Sequence, residues 1–162
     1  MPDGKSLVVT ASEGTHGLRI YMRDLAGGKP RPFTPEGYSL FRGTITPDGK
    51  SAVVRGPDRR VYLYPIQGGE PTPLDGIAPD DRPARFAPDG RTLYVLEPTS
   101  YPWRVYRYDV GTHRKETWRD LSPADLAGLN SISRIVLTRD ASAYAYSYLR
   151  VLSYLQLVEG MK

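Results

Sequence analysis

The segment Thr46-Pro47-Asp48-Gly49-Lys50-Ser51-Ala52-Val53-Val54-Arg55 decides how this chain is read. Proline pre-sets the backbone at the second turn position, Asp accepts a local hydrogen bond, and Gly tolerates positive φ. An apolar run follows at once, so a tight turn feeds a β-strand. Upstream of the turn, Leu40 to Thr46 reads as a first strand, and Ser51 to Arg55 is the second. Gly56-Pro57-Asp58 breaks it. Arg60 to Ile66 is a third strand, with Val61, Leu63 and Pro65 alternating against Tyr62, Tyr64 and Ile66. Pro65 has no N–H to give a ladder, so the strand is expected to end there. Gln67-Gly68-Gly69 turns the chain into a short proline-rich strand, Glu70 to Leu74, suited to an edge.

The same order recurs along the chain. Pro2-Asp3-Gly4-Lys5 and Pro88-Asp89-Gly90-Arg91 repeat the turn, and Arg139-Asp140-Ala141-Ser142 is a worn copy of it. From Asp3 to Asp48, Asp89 and Asp140 the spacings are 45, 41 and 51 residues. A period of roughly 40 to 50 residues built from short strands is that of stacked propeller blades. The first unit carries strands near Leu7–Thr10, Leu18–Asp24 and Pro30–Phe33. The third carries them near Arg82–Phe86, Thr92–Leu96, Arg104–Val110 and Lys115–Trp118. The fourth carries them near Ile132–Leu137, Ala143–Ser147 and Tyr154–Val158. Ser122 to Leu129 is read as one or two helical turns capped by Ser122.

The expected fold is therefore all-β: a single propeller fragment over 1–162, with blade units of about 1–37, 38–78, 79–125 and 126–162. Its tally of three, four, four and three strands leaves two blades incomplete. The chain starts at a turn inside a repeat, which reads as a piece trimmed from something longer. Fourteen strands do not close a disc, and a homodimer closing a ring of eight blades, or seven, is the expected remedy. The expected interior holds Val8, Ile20, Phe41, Ile45, Val53, Val61, Leu63, Phe86, Leu93, Val95, Val105, Ile135, Leu137 and Leu155.

Composition narrows the function classes. The apolar and charged shares, 40% and 25%, are ordinary for a globular protein. The net charge of +4 is a mild excess. The densest basic spots, Arg59-Arg60 and Lys29-Pro30-Arg31-Pro32, read as solvated turns and edges rather than a nucleic-acid stripe. No apolar run is long enough for a membrane-spanning helix. The chain has no cysteine, which excludes disulfide and thiolate chemistry.

The motifs resemble those of the WD40-like, Pro-Asp-repeat (PD40) β-propellers, the group that includes the propeller of bacterial TolB. Within it, the chain looks most like the C-terminal propeller half of bacterial serine/threonine protein kinases. The residues that carry this are Thr46 to Lys50, Ala87 to Arg91, Ile20-Tyr21 with Asp24-Leu25, and Val105-Tyr106 with Asp109-Val110. Pro65 departs from the pattern where other copies have Asp24 or Asp109, as does Arg139-Asp140-Ala141. The resemblance implies a bacterial protein, a parent outside the cytoplasm, and a sensor or interaction role. No kinase core is present: the glycine-rich nucleotide loop, the catalytic-loop Asp motif and the Asp-Phe-Gly metal motif are all missing.

Chemistry is sparse. His16 and His113 occupy different repeat positions and lack metal-ligand spacing. Asp80-Asp81 and Asp120/Asp125 lack the regular calcium-loop pattern and are read as turn-forming or water-facing. Asp3, Asp48 and Asp89, each before Gly4, Gly49 or Gly90, read as structural turn residues rather than a catalytic series. Gly27-Gly28 and Gly68-Gly69 lack the strand–loop–helix context of a phosphate site. No nucleophile–base set is readable, so no catalytic residue, metal or cofactor is expected. The aromatic loop Tyr101-Pro102-Trp103 is the candidate contact site, with Tyr101 and Trp103 as binding residues, unless it anchors the core. The expected function is a non-catalytic structural or interaction module that self-assembles and takes a protein or small ligand on a propeller face. The alternative is the binding or sensor part of a kinase- or hydrolase-associated propeller. An engineered half-propeller is a third reading.

Overall fold

The structure is a computed structural model that describes residues 1–99, 101–156 and 160. Among these it contains thirteen strands and no helix. The first sheet has three strands, β1 (Ser6–Ala11), β2 (Arg19–Asp24) and β3 (Arg31–Pro32). The second holds β4 (Ser39–Ile45), β5 (Ser51–Arg55), β6 (Val61–Pro65) and β7 (Thr72–Pro73), in that spatial order. The third holds β8 (Arg82–Phe86), β9 (Thr92–Glu97), β10 (Trp103–Asp109) and β11 (Lys115–Leu121), also in order. The fourth has two strands, β12 (Leu129–Leu137) and β13 (Tyr144–Arg150). Every pairing is antiparallel. The array does not close on itself: neighbouring sheets meet through β1 and β4, β4 and β8, and β8 and β12.

The core lies between sheets rather than within one. Ile20 and Phe33 of the first unit pack on Ala52, Val54, Tyr64 and Ile66 of the second. Val53 and Val61 of the second pack on Phe86, Leu93, Val95, Tyr106 and Tyr108 of the third. Tyr94, Leu96, Trp103 and Val105 of the third pack on Ile132, Ile135 and Leu137 of the fourth. This explains the unbroken apolar runs. In β5 and β9 successive side chains serve opposite neighbours, so both faces must be apolar. The end sheets have one covered face each. Leu7 and Val9 on β1 are exposed, as are Val136 on β12 and Leu149 on β13. Tyr144, Tyr146 and Tyr148 form a ladder along β13, with ring centroids 6.4 and 6.0 Å apart.

The repeated turns have one construction. Asp3 Oδ1 accepts the N–H groups of Lys5 and Ser6. Asp48 Oδ1 accepts Lys50 N–H, and Asp89 Oδ1 accepts those of Arg91 and Thr92. The glycine after each Asp sits at φ of +66°, +73° and +69°, the left-handed region that a side chain disfavours. In the worn copy Asp140 Oδ1 still accepts Ser142 N–H, while Ala141 takes φ +55° without being glycine.

Three expectations are corrected. Residues 122–129 are not helical. Asp125 Oδ1 takes Ala127 N–H, and Gly128, at φ +67°, gives its carbonyl to Val151 N–H. These local bonds replace a helical ladder. The third strand of the fourth unit does not form over 154–156, so the strands among the described residues number thirteen rather than fourteen; Leu157 and Val158 lie outside the described residues. Leu155 was expected inside and is 99% exposed, because the chain leaves the sheet after Arg150 and has no strand to pair with. Phe41, Ile45, Leu63 and Val8 are half-buried, packed against the clusters from their edges.

Candidate binding groove along the inner strands

The first strand of each of the last three sheets, β4, β8 and β12, faces a shared groove. Each is irregular against its partner. The register shifts between Leu40 and Ile45 on β4, between Pro83 and Arg85 on β8, and between Ile132 and Arg134 on β12. A bulge turns side chains out of strict alternation, and each of these three carries an arginine: Arg42, Arg85 and Arg134. Gly43 makes the close approach possible. It has φ +79°, and a Cβ there would lie 3.2 Å from the Ala84 carbonyl oxygen.

The groove consists of two cavities that meet at Gly43 and Arg85. One, of about 440 Å³, is lined by Leu40, Phe41, Arg42, Arg55, Arg82, Arg134 and Val136 among others. The other, of about 400 Å³, extends to Met1, Pro47, Pro88 and Arg139. Both volumes are in the range of small-ligand sites.

Six arginines line it, and none of the six forms an ion pair among the described residues. Three are held by backbone carbonyls. Arg82 Nη1 donates to Ile132 O and Ser133 O, both at 2.9 Å. Arg85 Nη1 donates to Leu137 O at 3.2 Å. Arg55 Nη2 donates to Pro79 O at 2.6 Å, and its guanidinium lies 5.0 Å from the Phe41 ring centre. The buried Nε of Arg55 has no partner. A guanidinium has five N–H donors, so each anchored arginine keeps spare donors. The arrangement attracts anions.

Sequence reading missed this groove. The basic spots it singled out are elsewhere, and one of them is ion-paired: Arg59 pairs with Asp80 at 3.3 Å and Arg60 with Asp75 at 2.7 Å. The available signal was positional, since Arg42 and Arg134 both stand five residues before the turn positions Pro47 and Arg139.

The other candidates have separate places. Trp103 is 5% exposed and belongs to the core between the third and fourth sheets. Tyr101 is 45% exposed, its ring edge-on to Trp103 at 5.6 Å and its hydroxyl bonded to Ser122 Oγ. Together they line a separate cleft of about 360 Å³ with Leu126 and Leu129. His16 bonds to Glu36 at 3.0 Å, and His113 stacks on Tyr108. Asp80 is exposed, but Asp81 is buried: its Oδ2 accepts Ala78 N–H and the Tyr106 hydroxyl and lies 3.6 Å from Lys115 Nζ. Burial, then the bond to Asp81, pushes the Tyr106 phenol far above its usual value. No group of three or more His, Cys, Asp or Glu with metal-site geometry occurs among the described residues. No helix there is long and apolar enough to cross a membrane.

Solved structures carry the same arrangement of blades. TolB from Acinetobacter baumannii superposes with a TM-score of 0.60 over 91% of this chain, at 20% identity. A putative TolB from Agrobacterium tumefaciens gives 0.56 over 92%, at 18% identity. The fold is that of a TolB-like β-propeller. The groove runs along the first strand of three successive sheets of this fold. The chain spans 41% and 55% of the lengths of these two proteins. No protein-family model matches the chain, and no curated protein matches it by sequence.

Proposed function

We propose that this chain is a non-catalytic interaction module: a propeller arc that joins a second copy of itself and presents its inner-strand groove to a ligand. The observation that carries the assembly is the contrast between middle and end sheets. The second and third have both faces covered, whereas the first and fourth leave Leu7, Val9, Val136 and Leu149 in water. Apolar faces of that kind are covered in a finished propeller. A twofold dimer sets the first sheet of each copy against the fourth sheet of the other, and the ring then has eight blades. Such an interface is apolar at its centre.

Sedimentation equilibrium from micromolar concentration upward tests this. The expected species is twice 18.1 kDa; a folded species that stays at 18.1 kDa over the whole range refutes the dimer. The purified protein is expected to turn over no peptide, ester, sugar or phosphoester. Tyr101, at the mouth of the separate cleft over the buried Trp103, forms a secondary contact surface in this proposal. The motifs shared with kinase-associated propellers favour a second reading, in which such an arc is the sensor half of a larger enzyme. Fusing the chain to an enzymatic core and finding activity unresponsive to any ligand of the groove argues against it.

A further inference from the structure

The groove itself indicates the chemistry of what it holds. Its charge is not gathered at a point. Arg82 is fixed to the carbonyls of Ile132 and Ser133, and Arg85 to that of Leu137. Five residues of β12 separate these anchors, roughly 16 Å at the rise of a strand. A single phosphate or carboxylate does not cover that length. An extended peptide of five or six residues does, and its same-side residues fall about 7 Å apart. Planar guanidinium groups take carboxylates two-pronged. Between the charges lie apolar surfaces, Leu40 and Ala84, which suit a peptide backbone and methylene groups. Nucleic acid fits less well. Stacking of bases needs open aromatic faces, and the one aromatic ring of the 440 Å³ cavity, Phe41, is already covered by Arg55.

We infer that the inner-strand groove binds an extended, carboxylate-rich peptide segment of a partner protein. This rests on the binding-module reading but not on the dimer.

The test uses the full chain and a fluorescein-labelled hexaglutamate peptide, read by anisotropy. The side chains of Arg42 and Arg134 make no hydrogen bond among the described residues, whereas the anchors are those of Arg82, Arg85 and Arg55, so the R42Q/R134Q double variant leaves the carbonyl anchors intact. R23Q/R31Q, on β2 and β3 away from the groove, removes the same net charge. The expected Kd is below about 100 μM, weakened about tenfold in R42Q/R134Q and unchanged in R23Q/R31Q. Equal weakening in both variants shows unspecific charge attraction and overturns the proposal, as does absence of binding. Full displacement by millimolar inorganic phosphate identifies a small-anion site and also overturns it. So does a hexathymidylate oligonucleotide that binds more tightly than the peptide and is lost in the same variant. Sedimentation of the same samples reports the assembly separately: a monomer that binds hexaglutamate refutes the dimer alone, and a dimer that ignores it refutes the peptide site alone.

Discussion

Replacing Tyr106 with phenylalanine removes one oxygen from a buried node of four groups. Asp81, 2% exposed, holds Ala78 N–H at 2.9 Å, lies 3.6 Å from Lys115 Nζ, and accepts the Tyr106 hydroxyl. Lys115 also lies 4.4 Å from the centre of the Tyr106 ring. The substitution barely changes volume, so no cavity opens and the ring contact with Lys115 persists. What is lost is a hydrogen bond to an ion-paired carboxylate, worth about 1.5–3 kcal/mol. Because Asp81 keeps its other two partners, the expected loss is in the lower half, about 2 kcal/mol. At about 2–4 °C per kcal/mol for a chain of this size, Tm falls by roughly 4–8 °C. Tyr108→Phe is the internal comparison. Tyr108 is equally buried, but its hydroxyl donates to a neutral acceptor, the Asp75 carbonyl at 2.8 Å, worth about 1 kcal/mol. Urea unfolding of both variants gives the order, provided the m-value is unchanged. A Tyr106→Phe variant as stable as the parent, or less perturbed than Tyr108→Phe, refutes the reasoning that the charge on the acceptor sets the magnitude.

Gly4→Ala isolates backbone strain, since Gly4 sits at φ +66° with nothing within 4 Å of the added Cβ; a loss of about 1 kcal/mol is expected by urea unfolding, and a gain counts against left-handed geometry at this turn. The carboxyl of Asp109 is held down to about 2 from 3.8, chiefly by its hydrogen bond from Arg91 and then by backbone N–H groups of Thr112 and Gly111. A depressed folded value means that stability present above the unfolded value is lost as pH falls from about 4 towards about 2; NMR titration should move Asp109 back towards 3.8 in Arg91→Gln. At the alkaline end, burial raises the Tyr108 phenol to about 12 from 10, so its share of stability is present below pH 10 and lost as pH rises towards 12; ultraviolet titration should show this phenol ionising after the exposed ones.

What was legible in the sequence was local. The turn at Asp48 and Gly49 is specified by residues adjacent in the chain, and the hydrogen bonds of Asp48 and Asp89 reach only two or three residues. The apolar run of β9 was legible as a strand, and its full burial follows from having a neighbour on each side. The helical reading of 122–129 failed because Gly128 lies against the segment that follows β13: a Cβ there would meet the Val151 carbonyl oxygen at 2.2 Å, a contact that no local pattern announces. Leu155 failed for the reason that hydrophobicity does not supply a pairing partner. The groove was illegible because its arginines are scattered from Arg42 to Arg139 and are gathered only when three bulged strands come side by side.

The choice of arginine in that groove follows from a double demand. Neighbouring sheets in this fold share side-chain packing but no backbone ladder, so the inner strands need another tie. Arg82 supplies it by donating to two carbonyls of β12, and Arg85 to a third. Lysine would meet two carbonyls with two of the three hydrogens on one nitrogen, leaving its charge buried in the tie. Arginine spreads five donors over a plane, so one nitrogen can fasten β8 to β12 while the others face the groove. Fastening and binding are then separable by position. In the proposed site Arg82 and Arg85 carry both roles, whereas the side chains of Arg42 and Arg134 make no such tie among the described residues. Charge at those two sites is not needed to hold the sheets together, so they are the positions where the proposed recognition of an anion can be tested without loosening the fold.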